Sequence, residues 1–207
     1  MPTCGMRVFQ EVGMKALINR IFSAFHIGTF LIVTHLFYKY RFGYIGPKSI
    51  LFGRFTSITN PERIYIGGNS RVLKGARLDC VTSWMGENFH PTVRIGRNVN
   101  IGQNFFLSCA SMVEIGDGVL ISDNVAIIDN DHMNEKGVSF SHTPISSQDI
   151  TIENNVLIYR NSIILKGSYI EEGAVIGANS IIKGRVSKNS LVVGSPMKVV
   201  KNLYGIE

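Results

Sequence analysis

The residues able to do chemistry are few: five histidines and three cysteines in 207 residues. The densest group is Asp129-Asn130-Asp131-His132. A neutral imidazole within hydrogen-bond reach takes a proton from an attacking group as the new bond forms, so His132 is the candidate general base. Asp129 and Asp131 stand close enough in sequence to orient the ring or hold a polar acceptor, although a backbone carbonyl fixes a tautomer equally well. His90 is a candidate lining residue for an acceptor site, and His142 reads as a polar loop residue. His90, His132 and His142 are scattered, with no close pair of histidines and no zinc-knuckle spacing of the cysteines, so no metal is expected. Cys4, Cys80 and Cys109 are odd in number and far apart, which fits small residues of a reducing compartment better than a disulfide framework. A thiol nucleophile at Cys109, activated by His132, is the weaker alternative.

What must position these residues is an internal repeat. Ile66, Val72 and Leu78 are followed by Ile95, Ile101 and Leu107, then by Ile115, Ile121 and Ile127. Ile152, Ile158 and Ile164 continue the series, and Ile170, Ile176 and Ile182 end it. Each trio steps by six residues. Three positions after most of these aliphatics stands Asn or Gly, as at Asn69, Asn98, Asn124, Asn155 and Asn179; four positions after stands a small residue, with Phe105 and Asp131 as exceptions. A six-residue unit of this kind is a short strand plus a corner. The aliphatic and the small residue point inward, and Asn or Gly takes the left-handed backbone conformation that turns the chain. Three units make a coil, and stacked coils bury what no coil buries alone. The expected fold is all-β: a parallel β-helix of hexapeptide repeats with an N-terminal helical segment and a protruding loop.

The interruptions share a place. Insertions of 11, 2 and 19 residues follow Leu78, Leu107 and Ile127, always the third aliphatic of a coil. All three should leave one edge of the prism, and the longest opens on the Asp129–His132 segment. A long loop on a compact domain is commonly functional. Asp131 in a column of small residues implies that the chain has already left the coil there. The domain reading is residues 1–45 as a helical segment, 46–190 as the β-helix with an active-site loop over 128–151, and 191–207 as a cap and tail.

At the N-terminus, Met14, Leu17, Ile18, Ile21, Phe22 and Phe25 recur with the period of an amphipathic helix. No charged residue falls between Ile21 and Tyr38. The segment reads as a helix capping the domain, or as one lying on a membrane with Lys39 and Arg41 at the headgroups. The chain carries a formal charge of +6. Its cations are dispersed, which favours an anionic cofactor or membrane surface and no nucleic acid.

The segment Ile127-Ile128-Asp129-Asn130-Asp131-His132 and the ending Val192-Val193-Gly194-Ser195-Pro196-Met197-Lys198-Val199-Val200-Lys201 resemble the hexapeptide-repeat acyltransferases. The likeness, over roughly residues 58–201, is greatest to sugar O-acetyltransferases of the maltose and galactoside type and to those that decorate O-antigen and capsule. It implies a left-handed winding, which spacing alone would not give because crossovers are generally right-handed. It implies acetyl-CoA as donor and direct transfer to a sugar or glycan hydroxyl, with His132 as base. It also implies a homotrimer with coenzyme A in a groove between subunits. There the backbone of Ala178 would bind the pantetheine arm, and Lys198 and Lys201 would face the phosphates. Arg160, where the family usually has a small residue, and Lys183, which replaces part of a Thr-Lys pair, complete the expected cofactor contacts. Leu157-Ile158-Tyr159 stands where many members have Trp-Ile-Gly. Ser108 aligns with an asparagine that binds acceptor hydroxyls in the galactoside enzymes.

Three other readings compete. A γ-class carbonic anhydrase shares the fold but needs the missing histidine spacing. A structural hexapeptide protein has no use for both the histidine loop and the Gly-x-Pro ending. An N-acetyltransferase acting on an amino sugar of a nucleotide sugar is the alternative within the enzyme reading. The basic helical N-terminus favours glycans handled in the cytoplasm at the inner face of the membrane.

Overall fold

A computed structural model describes residues 4–134 and 136–203. The hexapeptide columns become three faces of a parallel β-helix. Ile66, Ile95, Ile115, Ile152 and Ile170 stack in register on the first face. Val72, Ile101, Ile121, Ile158 and Ile176 stack on the second. Leu78, Leu107, Ile127, Ile164 and Ile182 stack on the third. Each of these aliphatics is at most 3% exposed, and burying such a side chain is worth about 1.5–3 kcal/mol.

The second inward column is buried except at Thr82, Ser111 and Asp131, where insertions leave the prism, and its serines do more than save space. Ser70 donates to the Gly96 carbonyl at 2.8 Å, and Ser162 donates to the Gly177 carbonyl at 3.0 Å. These hydroxyls link successive coils and avoid the cost of burying an unpaired polar group. Phe105, the large exception, is fully buried. At the corners, the Asn and Gly of the turning column have positive φ; Asn130, which lies in the protruding loop, is the exception. Asn104, Asn124, Asn161 and Asn179 also join side chain to side chain, at 3.1, 3.1 and 3.0 Å, in a ladder along the edge between the second and third faces.

The prism is longer than the six-residue count indicates. Ile45, Leu51 and Ile58 form an extra coil beneath Ile66, Val72 and Leu78. Val186 and Val192 extend the other end. These turns hid because Leu51 to Ile58 spans seven residues and Ile182 to Val186 spans four. Lys198–Asn202 then folds back antiparallel on Ser190–Val193 and covers the edge of the second face.

The N-terminal helix runs over Cys4–Leu36 and flanks the first coil through its C-terminal end. Thr34 Oγ1 accepts the Leu51 N–H at 2.9 Å, and Phe30 lies against Phe52. The amphipathic expectation needs correction. Ile21, Phe22 and Phe25 are 59%, 70% and 76% exposed, so that stripe does not seat the helix; the side chains of Met14, Leu17 and Ile18 lie outside the described residues. Ile32 and Leu36 are exposed too, because apolar residues surround this helix instead of forming one face.

Candidate active site

All three insertions leave the third face before the chain re-enters the first, so they share one edge of the prism. The longest folds into a hairpin. Asn130–His132 pairs antiparallel with Ile145–Ser147, setting Asp131 opposite Ser146 and His132 opposite Ile145. Side chains alternate along an extended strand, so Asn130 and His132 share one side and Asp131 takes the other. His132 is exposed. Its ring meets Trp84 edge-on with the centroids 5.1 Å apart. Trp84 comes from the first insertion, where Ser83–Trp84 and Glu87–Asn88 form a second small hairpin.

Asp131 is held by Lys166, whose Nζ donates to Oδ1 at 2.6 Å, and by Ser146 Oγ at 3.0 Å. The lysine keeps the Asp131 carboxyl below the usual carboxylate range, with help from Ser146 and the charge of Lys183. Asp131 thus ties the hairpin to the next coil on the side away from His132.

Asp129 departs from its expected role. It is fully buried. Its Oδ1 accepts the Ala110 N–H at 2.7 Å and the Asn130 amide at 2.8 Å, while Oδ2 accepts the Ser111 N–H at 2.8 Å. This carboxylate clamps the two-residue insertion to the root of the hairpin. Its oxygens face these groups and Cys109, not the His132 ring.

Ser108 points outward on the third face and accepts the Asn130 amide at 3.0 Å. Ser108, Asn130, His132 and Trp84 therefore border one surface. His90 is exposed just before the buried Pro91. His142 is exposed in a short 3-10 turn, with Nδ1 3.0 Å from Ser141 Oγ. Cys80 and Cys109 stack in register, both buried. Burial, reinforced by the negative Asp129, pushes the Cys80 thiol up to about 12 and the Cys109 thiol higher still. Such a thiol stays protonated at neutral pH, so the nucleophilic reading of Cys109 is overturned.

The expected cofactor residues divide between two edges. Arg160 and Ala178, both exposed, lie on the edge between the second and third faces, where the Asn179 N–H bonds the Arg160 carbonyl at 3.1 Å. The C-terminal hairpin lies hard against this edge, since a Cβ on Gly177 would meet Val193 Cγ1 at 2.7 Å. Lys198 and Lys201, opposite Val193 and Leu191, are exposed on that hairpin. Lys183 sits apart, close enough to Asp131 to act on its charge. One prism thus keeps the histidine on one edge and most of the expected cofactor contacts on another.

Sequence reasoning missed Trp84, Asn130, Ser146 and Lys166. Trp84 had a signal: it is the one tryptophan of the chain and lies in an insertion on the histidine's edge. Lys166 had a weaker one, standing two residues after an inward aliphatic, as Asp129 does.

Residues 149–184 match the family described as bacterial transferase hexapeptide (six repeats). The chain is 33% identical over 157 residues to the putative lipopolysaccharide biosynthesis O-acetyl transferase WbbJ of Escherichia coli, covering 70% of this chain and 74% of that protein. It is 31% identical over 112 residues to the probable acetyltransferase Rv3034c of Mycobacterium tuberculosis, covering 54% of this chain but only 37% of that longer protein. Among solved structures, AntD, an N-acyltransferase from Bacillus cereus in complex with dTDP and 3-hydroxybutyryl-CoA, superposes with a TM-score of 0.64 at 20% identity, over 82% of this chain and 87% of AntD. The prism is the left-handed β-helix of that fold.

Proposed function

Because this chain belongs to the hexapeptide-repeat acyltransferase family, we propose that it moves an acetyl group from acetyl-CoA to a sugar hydroxyl, with His132 as general base. The acceptor class is a polysaccharide, lipopolysaccharide or lipid-linked glycan precursor. The observation that carries this reading is the presentation of His132. A buried carboxylate clamps the root of its hairpin, Lys166 anchors the hairpin's far side, and the imidazole is left exposed against Trp84.

A sugar hydroxyl is too weak an acid to attack a thioester unaided near neutral pH. His132 takes the hydroxyl proton as the oxygen bonds to the acyl carbon, and the imidazolium returns that proton to the departing thiolate when the C–S bond breaks. Such proton transfer contributes about 10²–10⁴ in rate. Coenzyme A supplies the thioester and an anionic tail. The edge carrying Arg160 and Ala178, with Lys198 and Lys201 on the hairpin against it, suits such a tail: together they offer an open backbone at a small residue and three exposed cations. Since that edge and His132 lie apart on one prism, the reading requires the site to form between subunits, as a closed trimer of prisms would provide.

The helix extends the proposal to location. Asn19–Tyr40 is long and apolar enough to cross a membrane, and its apolar window is almost entirely unburied by the rest of the chain. With Lys39 and Arg41 at its end, it would hold the enzyme at the cytoplasmic membrane face, where lipid-linked glycans are assembled. Vesicle flotation checks this: Phe22→Ser/Phe25→Ser should release the protein from anionic vesicles, and unchanged flotation would refute the membrane role.

The main experiment follows thioester consumption with sugar acceptors. His132→Ala should lower turnover by about 10²–10⁴ with the melting temperature preserved. Full activity in that variant would refute the base assignment, and turnover only with amino sugars would replace O-transfer by N-transfer.

A further inference from the structure

We propose that Trp84 is a positioning residue that holds the His132 ring in its working orientation, making the first insertion part of the catalytic apparatus. The proposal rests on His132 as the base.

An exposed histidine on a two-stranded hairpin has several staggered wells open to it. Trp84 restricts that choice from outside the hairpin. Its ring meets the imidazole at an interplanar angle of 69° with the centroids 5.1 Å apart, the edge-to-face arrangement favoured by aromatic quadrupoles. Its Nε1–H donates to the Thr143 carbonyl at 2.9 Å, and Thr143 precedes the strand that pairs with His132. One indole thus grips both arms of the hairpin: the imidazole of one and the backbone leading into the other.

The indole is itself well braced. Met85 and Gly86 both have positive φ, giving the tight turn that a two-residue connection between strands needs. At the base of this hairpin the Asn60 amide donates to the Cys80 carbonyl at 2.7 Å and to Thr82 Oγ1 at 3.1 Å, and the Phe89 N–H bonds the Thr82 carbonyl at 2.8 Å. Asn60 belongs to the first coil, so the brace reaches from the start of the prism to the reactive loop. This gives the 11-residue insertion a purpose that its own sequence does not reveal.

Because Trp84 is the one tryptophan, its emission reports on the contact directly. A protonated imidazole quenches a neighbouring indole, so emission should fall on acidification while the two rings stay in contact. Among the described residues the other titratable groups are Glu87 and His90 on the first insertion, Asp129, Asp131, Lys136, His142 and Asp149 on the longest one, and Lys166 and Lys183 against it. His132→Gln should abolish the transition, and His142→Gln should leave it. Kinetically, Trp84→Ala should lower kcat by about 10–100-fold, with KM for acetyl-CoA little changed. Trp84→Phe keeps a ring but loses the bond to Thr143, and should recover most of the loss at an unaltered acid limb of the pH profile. Wild-type kcat in both Trp84 variants, with His132→Ala inactive, overturns the positioning role alone. An active His132→Ala, with the emission transition still present in the wild type, overturns the base assignment and leaves the contact standing. An emission transition that persists in His132→Gln overturns the contact.

Discussion

Two edges of the same prism behave in opposite ways. Along the edge between the second and third faces the chain turns without interruption from Val72 onward, and Asn104, Asn124, Asn161 and Asn179 link one coil to the next. Along the edge between the third and first faces the chain carries insertions after Ile58, Leu78, Leu107 and Ile127, and there lie His132, Trp84 and the buried Asp129 clamp. A repeating edge is straight and rigid, suited to an extended ligand that spans several coils. An interrupted edge sacrifices repetition to present one side chain at one place. Under the proposed function the two edges are halves of one site, brought together only when prisms stand side by side.

The strongest test separates the halves. His132→Ala removes the reactive edge and should cost about 10²–10⁴ in turnover. Ala178→Trp fills the regular edge at an exposed position and should be comparably inactive, through loss of donor binding. Neither should melt much earlier than the parent. Co-assembling the two inactive chains in equal amounts should restore activity at about a quarter of the sites if each site takes one edge from each neighbour. No recovery would mean that a single chain holds the whole site.

A smaller contrast uses one residue type on both edges. Asn124 and Asn130 occupy the same column of the repeat. Asn124 has φ 58° and bonds its counterparts in the coils on both sides. Asn130 has left the column, and its amide bridges Ser108 and Asp129. Asn124→Ala should therefore cost about 1–2 kcal/mol, the penalty for placing alanine in the left-handed region plus the broken ladder. Asn130→Ala should lower activity through the loss of Ser108 placement, while moving stability by less than about 1 kcal/mol. Thermal melts and turnover of the two variants check the crossing of effects.

The same contrast explains what could be read from the sequence. Inward aliphatics, turning Asn and Gly, and the common edge of the insertions were legible because a stack of coils imposes one chemical demand again and again. The outermost coils escaped because their spacings of seven and four break the count. On the interrupted edge nothing repeats. His132 was visible through its place at the start of the longest insertion, but its neighbours come from distant segments. Trp84 meets it across 48 positions, and Lys166 reaches Asp131 across 35. The Asp129 clamp was misjudged for a related reason. Its sequence neighbours suggest a partner for the histidine, whereas in the fold it is buried and accepts the Ala110 and Ser111 N–H groups of the two-residue insertion.

The smallest expected effect concerns the tie between the edges' coils and the reactive hairpin. Asp131 is 60% exposed while Lys166 is 16% exposed, so water screens much of the attraction and the pair should contribute only about a few tenths of a kcal/mol. Its direction with pH is still definite. Lys166 and Ser146 hold the folded Asp131 carboxyl below its usual value, so the folded state binds this proton less readily than the unfolded chain does. The contribution is complete above about pH 4, where an unfolded Asp is ionised, and fades as pH falls through the lower folded value. Hydrogen exchange at the Met133 amide, which closes the hairpin on the Pro144 carbonyl at 2.8 Å, reads this locally. Protection there should hold constant from pH 8 to about 5, after correction for intrinsic rates, and drop below about pH 4. In Asp131→Asn it should be lower throughout and lose that acid step, while protection along the Asn104–Asn179 edge stays as it was. A hairpin equally protected in both proteins would show that the Asp129 clamp alone suffices to hold His132 out from the prism.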